Sequence, residues 1–258
     1  MIDLALVDAA TERLLATASA LADADIGAPS RLPGWTVGHV LTHIARNADG
    51  IRRMAEGAAR GEVLDQYEGG VASRATDIDA GAGRTAAAHL DDLRASAAAL
   101  RAAWDAMPDG AWTNRTRPLG GDATAEDGPV ARLFEVEVHH VDVGRGYTAA
   151  DWPATTVDLG LARVVARLRR HASTIGAPTV WRLVRTDGGA DITVRRNLTG
   201  TTVAAGTLPL DREPTATVRA SGAELLAWLL GRGDGGPPGD VEGDAAVGAQ
   251  LPSAYPWQ

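Results

Sequence analysis

The stretch FEVEVHHVDVG, residues 134–144, combines acidic side chains and two adjacent histidines with apolar residues in the middle of the chain. On a helix, Glu135 and His139 are four residues apart and share a face, whereas Glu137 and His140 each point elsewhere. The apolar residues between them indicate a helix that is buried over much of its circumference, where an unpaired carboxylate is costly. The stretch therefore predicts a buried helix that presents one carboxylate and one imidazole together.

A second pair of histidines lies on an earlier amphipathic helix, for which Thr36 is the expected N-cap. His39 and His43 are one turn apart along its apolar stripe, so this helix can supply at least one more imidazole. If the two helices pack antiparallel in a bundle, that imidazole can meet Glu135 and His139. Two histidines and a glutamate leave a coordination position open, as in catalytic zinc sites, and such sets also serve non-haem iron. The alternative is a solvated Glu/His surface pair without a metal.

Composition and charge narrow the class of protein. The 258 residues include 25 basic and 33 acidic side chains, for a formal net charge of −8, and no basic block could follow a phosphate backbone. We therefore expect no nucleic-acid partner. The acidic, periodic N-terminus and the lack of a long apolar run predict a soluble cytoplasmic protein without membrane association. The chain has no cysteine, so any thiol chemistry needs a thiol from another molecule.

Periodicity predicts two domains and an α+β fold class overall. The first domain, residues 1–150, is expected to be a four-helix bundle with a long crossover between its second and third helices. A polar, glycine-rich segment at 61–83 and a loop at 108–128 separate the later helices. The four amphipathic helices are expected at residues 3–23, 36–58, 84–107 and 129–143.

The second domain, residues 151–258, is expected to be a small α+β unit. A helix is predicted over 156–171, and the stretches TVWRLVRT and ADITVRRN predict two strands around a tight turn. A further strand at TATVRA and the helix AELLAWLLGR follow. The tail from Gly235, which contains several prolines, is expected to be an extended strap and not a core element.

Three segments carry a resemblance to a known family. They are LPGWTVGHVLTHIARNADGI (32–51), FEVEVHHVDVGRGYTAADWP (134–153) and GRGDGG (231–236), which is followed by a proline-containing tail with Trp257 next to its end. Together they resemble the mycothiol-dependent maleylpyruvate isomerases, which are relatives of the DinB-like metalloenzymes, and the resemblance covers most of the chain. It implies a DinB-like bundle, a sterol-carrier-like second domain, and the metal ligands His43, Glu135 and His139, with His39 outside the set.

The resemblance also implies a reaction. The family uses mycothiol, a cysteine-bearing pseudodisaccharide, as a thiol cofactor, and a divalent metal, expected to be zinc, binds the thiol and lowers its pKa. The metal-bound thiolate adds to the cis double bond of maleylpyruvate, the resulting single bond rotates, and elimination gives fumarylpyruvate. The expected protein is therefore an actinobacterial isomerase of aromatic degradation. The alternatives are a mycothiol S-transferase, which releases the adduct, and a non-catalytic binding module stabilised by a metal.

Cations are expected to hold the two carboxylates of the substrate. Arg232, after the last predicted helix, matches a family arginine and is expected to contact both substrate and cofactor, and Arg74 matches another family arginine less directly. Asn47, one turn beyond His43, is expected to orient the bound thiol or to cap a ligand, with a packing role as the alternative. Asp142 is expected to accept a hydrogen bond from an imidazole N–H.

Two further residues bear on specificity and packing. Phe134 stands where the family often has an arginine directly before the ligand glutamate, and Arg132 lies three residues before that glutamate instead. If the family arginine contacts substrate, this protein acts on a different one. Trp35 is expected to be a core anchor or a helix staple and not a substrate contact. The oligomeric state is not encoded in these patterns, and a monomer is the expectation.

Overall fold

The computed structural model describes residues 2–170, 177–206, 213–233 and 235–254. The chain divides into two compact units, Met1–Thr148 and Ala149–Gln258. The first unit is helical apart from one two-stranded ribbon, and the second contains a five-stranded sheet with helices. The predicted α+β fold class is therefore confirmed. No helix among the described residues is long and apolar enough to span a membrane.

Four long helices build the first unit, as the periodicity predicted. Helix α1 contacts α6, α6 contacts α3, α3 contacts α5, and α5 contacts α1, so that their apolar faces enclose a common core. The side chains at its centre include Leu14, Leu41, Ile44, Leu93 and Leu133. The four helices are α1 (Leu4–Ser19), α3 (Val37–Ala59), α5 (Ala86–Asp105) and α6 (Gly128–Val143), and the single-turn helix α2 (Asp23–Ile26) follows α1.

Local signals at the helix ends set the register of α3 and α6. Thr36 is the N-cap of α3, and its Oγ1 accepts a hydrogen bond from the backbone N–H of His39 at 3.4 Å. Pro129 lies in the first turn of α6, where its missing N–H costs nothing. Helix α6 ends at Gly144, whose φ of 68° is left-handed and suits glycine.

The connection between α3 and α5 contains a helix that the sequence did not predict. Helix α4 (Gly70–Gly81) lies within the polar segment and packs on α3. Ile78 is its one buried residue, so it has no apolar stripe that periodicity could detect. The loop before α6 forms the short antiparallel pair β1 (Arg115–Thr116) and β2 (Ala123–Thr124).

The second unit begins with a short 3-10 helix (Ala149–Asp151), continues with α7 (Ala154–Arg170), and contains a sheet with strand order β5-β4-β3-β6-β7. The predicted strands and both predicted helices are present, although His171, the expected end of α7, lies outside the described residues. Trp181 on β3 pairs with Val194 on the antiparallel β4 and with Ala216 on the parallel β6. The elements are β3 (Thr179–Arg185), β4 (Ile192–Asn197), β5 (Gly200–Ala205), β6 (Ala216–Ala220), α8 (Gly222–Leu229) and β7 (Asp240–Gly243).

The prediction of an extended, non-core tail is wrong for its described part. Strand β7 pairs antiparallel with β6, with Val241 opposite Val218. The single-turn helices α9 (Ala245–Gly248) and α10 (Leu251–Ala254) follow, and Leu251 is fully buried. An edge strand pairs through its backbone, so the sequence DVEG needs no apolar alternation to join the sheet. Residues 255–258 lie outside the described part.

Candidate metal centre

Three side chains from α3 and α6 meet in the first unit. Nε2 of His43 lies 3.1 Å from Oε2 of Glu135, and Nε2 of His139 lies 3.7 Å from the same oxygen. The two imidazole rings are 4.4 Å apart at 88°. The three potential ligand atoms all lie within 4.8 Å of one another, a spacing that suits one ion with bonds of about 2.0–2.2 Å. Within the described ranges, this is the one such group of three.

The surroundings of Glu135 fit a cation. One third of its side chain is exposed (33%), whereas the side chains of His43 and His139 are 4% and 16% exposed. Oε2 of Glu135 is nevertheless enclosed, and it takes part in no hydrogen bond of normal geometry. An enclosed carboxylate oxygen without a well-aligned hydrogen bond is costly, and a metal ion between the two imidazoles would satisfy it. The exposed side of Glu135 leaves room for a further ligand.

Burial and neighbouring groups set the protonation states of His43 and Glu135. The pKa of His43 is lowered to about 4, chiefly because burial disfavours the imidazolium, and the charges of His139 and Arg74 act in the same direction. Burial would raise the pKa of Glu135, but the contact with His43 and the nearby charges of His139 and Arg132 outweigh it and lower this pKa to about 2. At neutral pH, His43 is therefore neutral and Glu135 ionised, the forms that bind metals.

Asp142 orients His139. Its Oδ2 lies 2.8 Å from Nδ1 of His139, and the carboxylate is almost fully buried at 1% exposure. A carboxylate can only accept, so Nδ1 carries the proton and the lone pair of Nε2 points towards Glu135. This is the contact that the sequence predicted for Asp142.

Arg74 and Tyr67 lie beside the three candidate ligands. Nη2 of Arg74, on α4, is 2.9 Å from Nδ1 of His43, and its guanidinium carbon lies 5.8 Å from the centre of the Tyr67 ring. Burial raises the pKa of Tyr67, and the charge of Glu135 adds to this. Tyr67 was missed by sequence analysis, since a single tyrosine in a non-periodic segment carries no signal of its own.

Asn47 is buried one turn beyond His43, and its Oδ1 accepts a hydrogen bond from Nη1 of Arg132 at 2.9 Å. Its expected contact with the cofactor stays a prediction. Phe134, in the position of the family arginine, is buried at 8% exposure.

His39 does not belong to the triad. Its Nδ1 lies 2.7 Å from Oγ1 of Thr36 at the start of α3, and its Nε2 lies 3.7 Å from the exposed carboxylate of Asp79. These three residues line a surface cleft of about 500 Å³ to which none of the candidate ligands contributes. Trp35 is half-buried, with its ring 6.1 Å from His39 and 5.7 Å from His43, so it packs on the histidines and does not anchor the core. Its expected role as a helix staple directly before the Thr36 cap stays a prediction.

The other polar residues of the FEVEVHHVDVG stretch face α1. Glu137 is fully buried and accepts hydrogen bonds of 2.5 Å from Nη2 of Arg13 and from the hydroxyl of Tyr147. His140 lies 2.7 Å from Oγ1 of Thr17 and stacks on the Tyr147 ring at 3.7 Å. The stretch thus divides its acids and histidines between a candidate metal centre and a polar network that holds two helices together.

Arg232 belongs to the second unit and follows α8. Its Nη1 donates a hydrogen bond of 2.7 Å to the carbonyl of Leu230. The roles in substrate and cofactor binding that the resemblance implies for Arg232 stay predictions, as does the role of Arg74 in binding substrate.

The fold and the site together define a class, that of helical-bundle proteins in which two helices bring a His₂–carboxylate group to one point. The family model described as "Mycothiol maleylpyruvate isomerase N-terminal domain" matches residues 7–144, more than half of the chain, and the chain belongs to this family.

Two crystal structures have a similar fold. The structure of a mycothiol-dependent maleylpyruvate isomerase matches with a TM-score of 0.73 and 23% identity over 91% of this chain and 90% of the other. The structure of a histidine-to-alanine mutant of a mycothiol-dependent maleylpyruvate isomerase matches with a TM-score of 0.72 and 23% identity over 89% and 88%. Identity at this level is evidence for the fold alone. No curated protein sequence matches significantly.

Proposed function

We propose that the protein is a mycothiol-dependent cis–trans isomerase that converts maleylpyruvate to fumarylpyruvate. The observation that carries the proposal is the meeting of His43, Glu135 and His139 inside the segment that the family model matches. The absence of cysteine agrees with it, since the thiol must then come from a cofactor. The names of the two structures with the same fold support it as well.

The three candidate ligands would hold a divalent metal, with zinc the expected ion. When bound, such a metal acts as a Lewis acid that favours the thiolate form of a cofactor thiol. Asp142 keeps the Nε2 lone pair of His139 directed at the site, and the burial of His43 shields one side of it from water. The exposed side of Glu135 is the direction from which a thiol and a substrate can approach.

Binding of the substrate needs cations, because maleylpyruvate carries two carboxylates. Arg74 lies at the site, with its guanidinium against His43, and is our candidate for binding one carboxylate. Arg232 is retained as the second candidate on the resemblance alone. Asn47 is retained as a candidate for contact with the cofactor.

The test is an absorbance assay of maleylpyruvate isomerisation with and without mycothiol, on metal-loaded wild type and on His43→Ala. We expect turnover that requires mycothiol and that falls to background in the variant. His39→Ala is the matched control, since this histidine is one turn away on the same helix and outside the triad, and it should retain most of the activity. If metal-loaded wild type shows no turnover, the isomerase assignment is wrong.

A mycothiol S-transferase is the second candidate, because Phe134 stands where the resemblance places an arginine before the ligand glutamate, and the loss of an arginine that contacts substrate would change the substrate. An S-transferase would consume mycothiol and release a stable adduct. Mass spectrometry of reactions with a panel of electrophiles separates the two functions, because an isomerase regenerates the thiol and an S-transferase depletes it.

A further inference from the structure

Arg132 is a buried cation in the interior of the bundle. It is 1% exposed, and its Nη1 donates hydrogen bonds to the backbone carbonyl of Ile44 at 2.7 Å and to Oδ1 of Asn47 at 2.9 Å. Burial lowers its pKa to about 10, so it keeps its charge at neutral pH. Burying a guanidinium is costly, neither of its two hydrogen-bond acceptors is charged, and the nearby charges of Glu135 and Asp49 offset this cost only in part. The burial of this charge therefore indicates a specific role for Arg132.

Arg132 lies close to candidate metal ligands on both α3 and α6. On α6 it lies one turn before Glu135, and on α3 its acceptor Ile44 directly follows His43. His43 on α3 faces Glu135 on α6. Asn47 lies after His43 on α3 and contacts Arg132, which lies before Glu135 on α6. The two helices therefore run antiparallel here. The hydrogen bonds of Arg132 therefore join the two helices one turn from the point where their ligands meet.

We propose that Arg132 is a positioning residue for the metal centre: it sets the separation and register of α3 and α6 so that His43 meets Glu135 and His139. Two hydrogen bonds from Nη1 to acceptors on successive turns of α3 constrain both the distance and the relative height of the helices. This inference rests on the metal centre of the proposed function, and it is independent of the substrate and of mycothiol.

The direction in which metal affinity changes when Arg132 is replaced separates a positioning role from a purely electrostatic one. The positive charge of Arg132 near the site repels a divalent cation, so removal of the charge alone would strengthen metal binding. Removal of the connection between the helices would weaken it, because the ligands would no longer be held together. A role in stability alone would leave the affinity of the folded protein unchanged.

The test uses the full-length protein, stripped of metal by a chelator and titrated with Co²⁺ against a chromophoric competitor. For Arg132→Met we expect at least about tenfold weaker Co²⁺ binding, the lower end of the range for residues that orient metal ligands. The visible absorption bands of bound Co²⁺ should also change, because they report ligand geometry. Circular dichroism checks that the helices remain.

Two further variants serve as rescue and control. Arg132→Lys keeps the charge and carries three donors on one nitrogen, but its side chain is shorter than that of arginine, so it should recover part of the affinity. Arg101→Met removes an arginine that joins α5 to α1 through Asp8, on helices without candidate ligands, and it should leave Co²⁺ binding and its spectrum unchanged.

Asn47→Ala covers the case in which Arg132→Met does not fold. It keeps the charge of Arg132 and its bond to Ile44 but removes one acceptor, and a several-fold loss of Co²⁺ affinity is expected. Unchanged or tighter binding in folded Arg132→Met, or unchanged binding in Asn47→Ala, overturns the inference. A wild type that binds no Co²⁺ overturns it together with the metal centre, whereas Co²⁺ binding without isomerisation overturns only the assigned reaction.

Discussion

Nη2 of Arg74 lies 2.9 Å from Nδ1 of His43. Arginine has only donors, so Nδ1 must accept, and the imidazole proton lies on Nε2, which faces Oε2 of Glu135 at 3.1 Å. A histidine that binds a metal needs a lone pair on the coordinating nitrogen and donates from the other. Arg74 therefore favours the tautomer of His43 that does not bind a metal through Nε2, and metal binding must compete with this contact.

Arg74→Met is accordingly expected to tighten metal binding, by about tenfold if the contact is worth about 1–1.5 kcal/mol. Titration against a chromophoric chelator measures the change. The same variant should raise the KM for a dicarboxylate substrate, because it loses a cation at the site. Arg60→Met, at an exposed arginine paired with Glu62, is the control. Weaker metal binding in Arg74→Met would mean that the contact supports the metal-binding state instead.

Asp142→Asn should weaken metal binding by about 10–100-fold, the usual effect of losing a carboxylate that orients a histidine ligand. The carboxylate lies 2.8 Å from Nδ1 of His139 and holds the proton on that nitrogen. The same chelator titration tests this, with Asp79→Asn as the control, since Asp79 is 75% exposed and lies near His39. Equal affinities in the two variants would contradict the orienting role.

The metal-free protein should lose stability in mild acid. The pKa of His43 falls from 6.5 to about 4 on folding, so between these values the unfolded chain binds a proton that the folded chain does not. The free energy of unfolding therefore decreases as the pH falls through this window, by on the order of 3 kcal/mol in total. The lowered pKa of Glu135 acts in the same direction at more acidic pH.

Urea unfolding of chelated wild type at neutral pH and at about pH 4.5 measures this loss. In His43→Leu, the part of the free-energy loss that comes from protonation of His43 should disappear. The unfolding free energy of this variant should therefore depend less on pH than that of the wild type. If both proteins lose the same free energy, His43 is not the group responsible.

The network around Glu137 should stabilise the bundle and not take part in catalysis. Arg13→Met removes one donor from a fully buried carboxylate and should cost about 2–3 kcal/mol, less than for a fully buried pair because Arg13 is 34% exposed. Tyr147→Phe removes the other 2.5 Å hydrogen bond and should cost about 1.5–3 kcal/mol. Urea unfolding measures both, and changes below about 0.5 kcal/mol would show that the network contributes little.

Removal of the metal should leave the helices intact. The core of the first unit is built from apolar side chains of four helices and does not depend on the candidate ligands. We expect a chelator to abolish activity and to leave far-ultraviolet circular dichroism unchanged. Loss of helicity would instead indicate a structural metal, as in the alternative of a metal-stabilised binding module.

The sequence by itself determined the structural features that depend only on residues close together in the chain. The apolar stripes, the Thr36 cap and the left-handed Gly144 are local features, and they predicted the four long helices. The pairing of Glu135 with His139 follows from helical spacing alone. Helix α4 and strand β7 escaped prediction because packing on α3 and backbone pairing at a sheet edge form them, not a pattern in their own residues. Strand β5 escaped prediction although Thr201, Thr202 and Val203 are β-branched and its burial alternates.

Only the tertiary structure decided which side chains meet. His39 and His43 share one apolar stripe, so spacing cannot choose between them, and the resemblance to a family had to make the assignment. The packing of α3 against α6 places His43 opposite Glu135. Arg132 and Arg74 reach α3 from positions 88 and 31 residues away in the chain. Such contacts depend on how helices pack, and no local pattern encodes them.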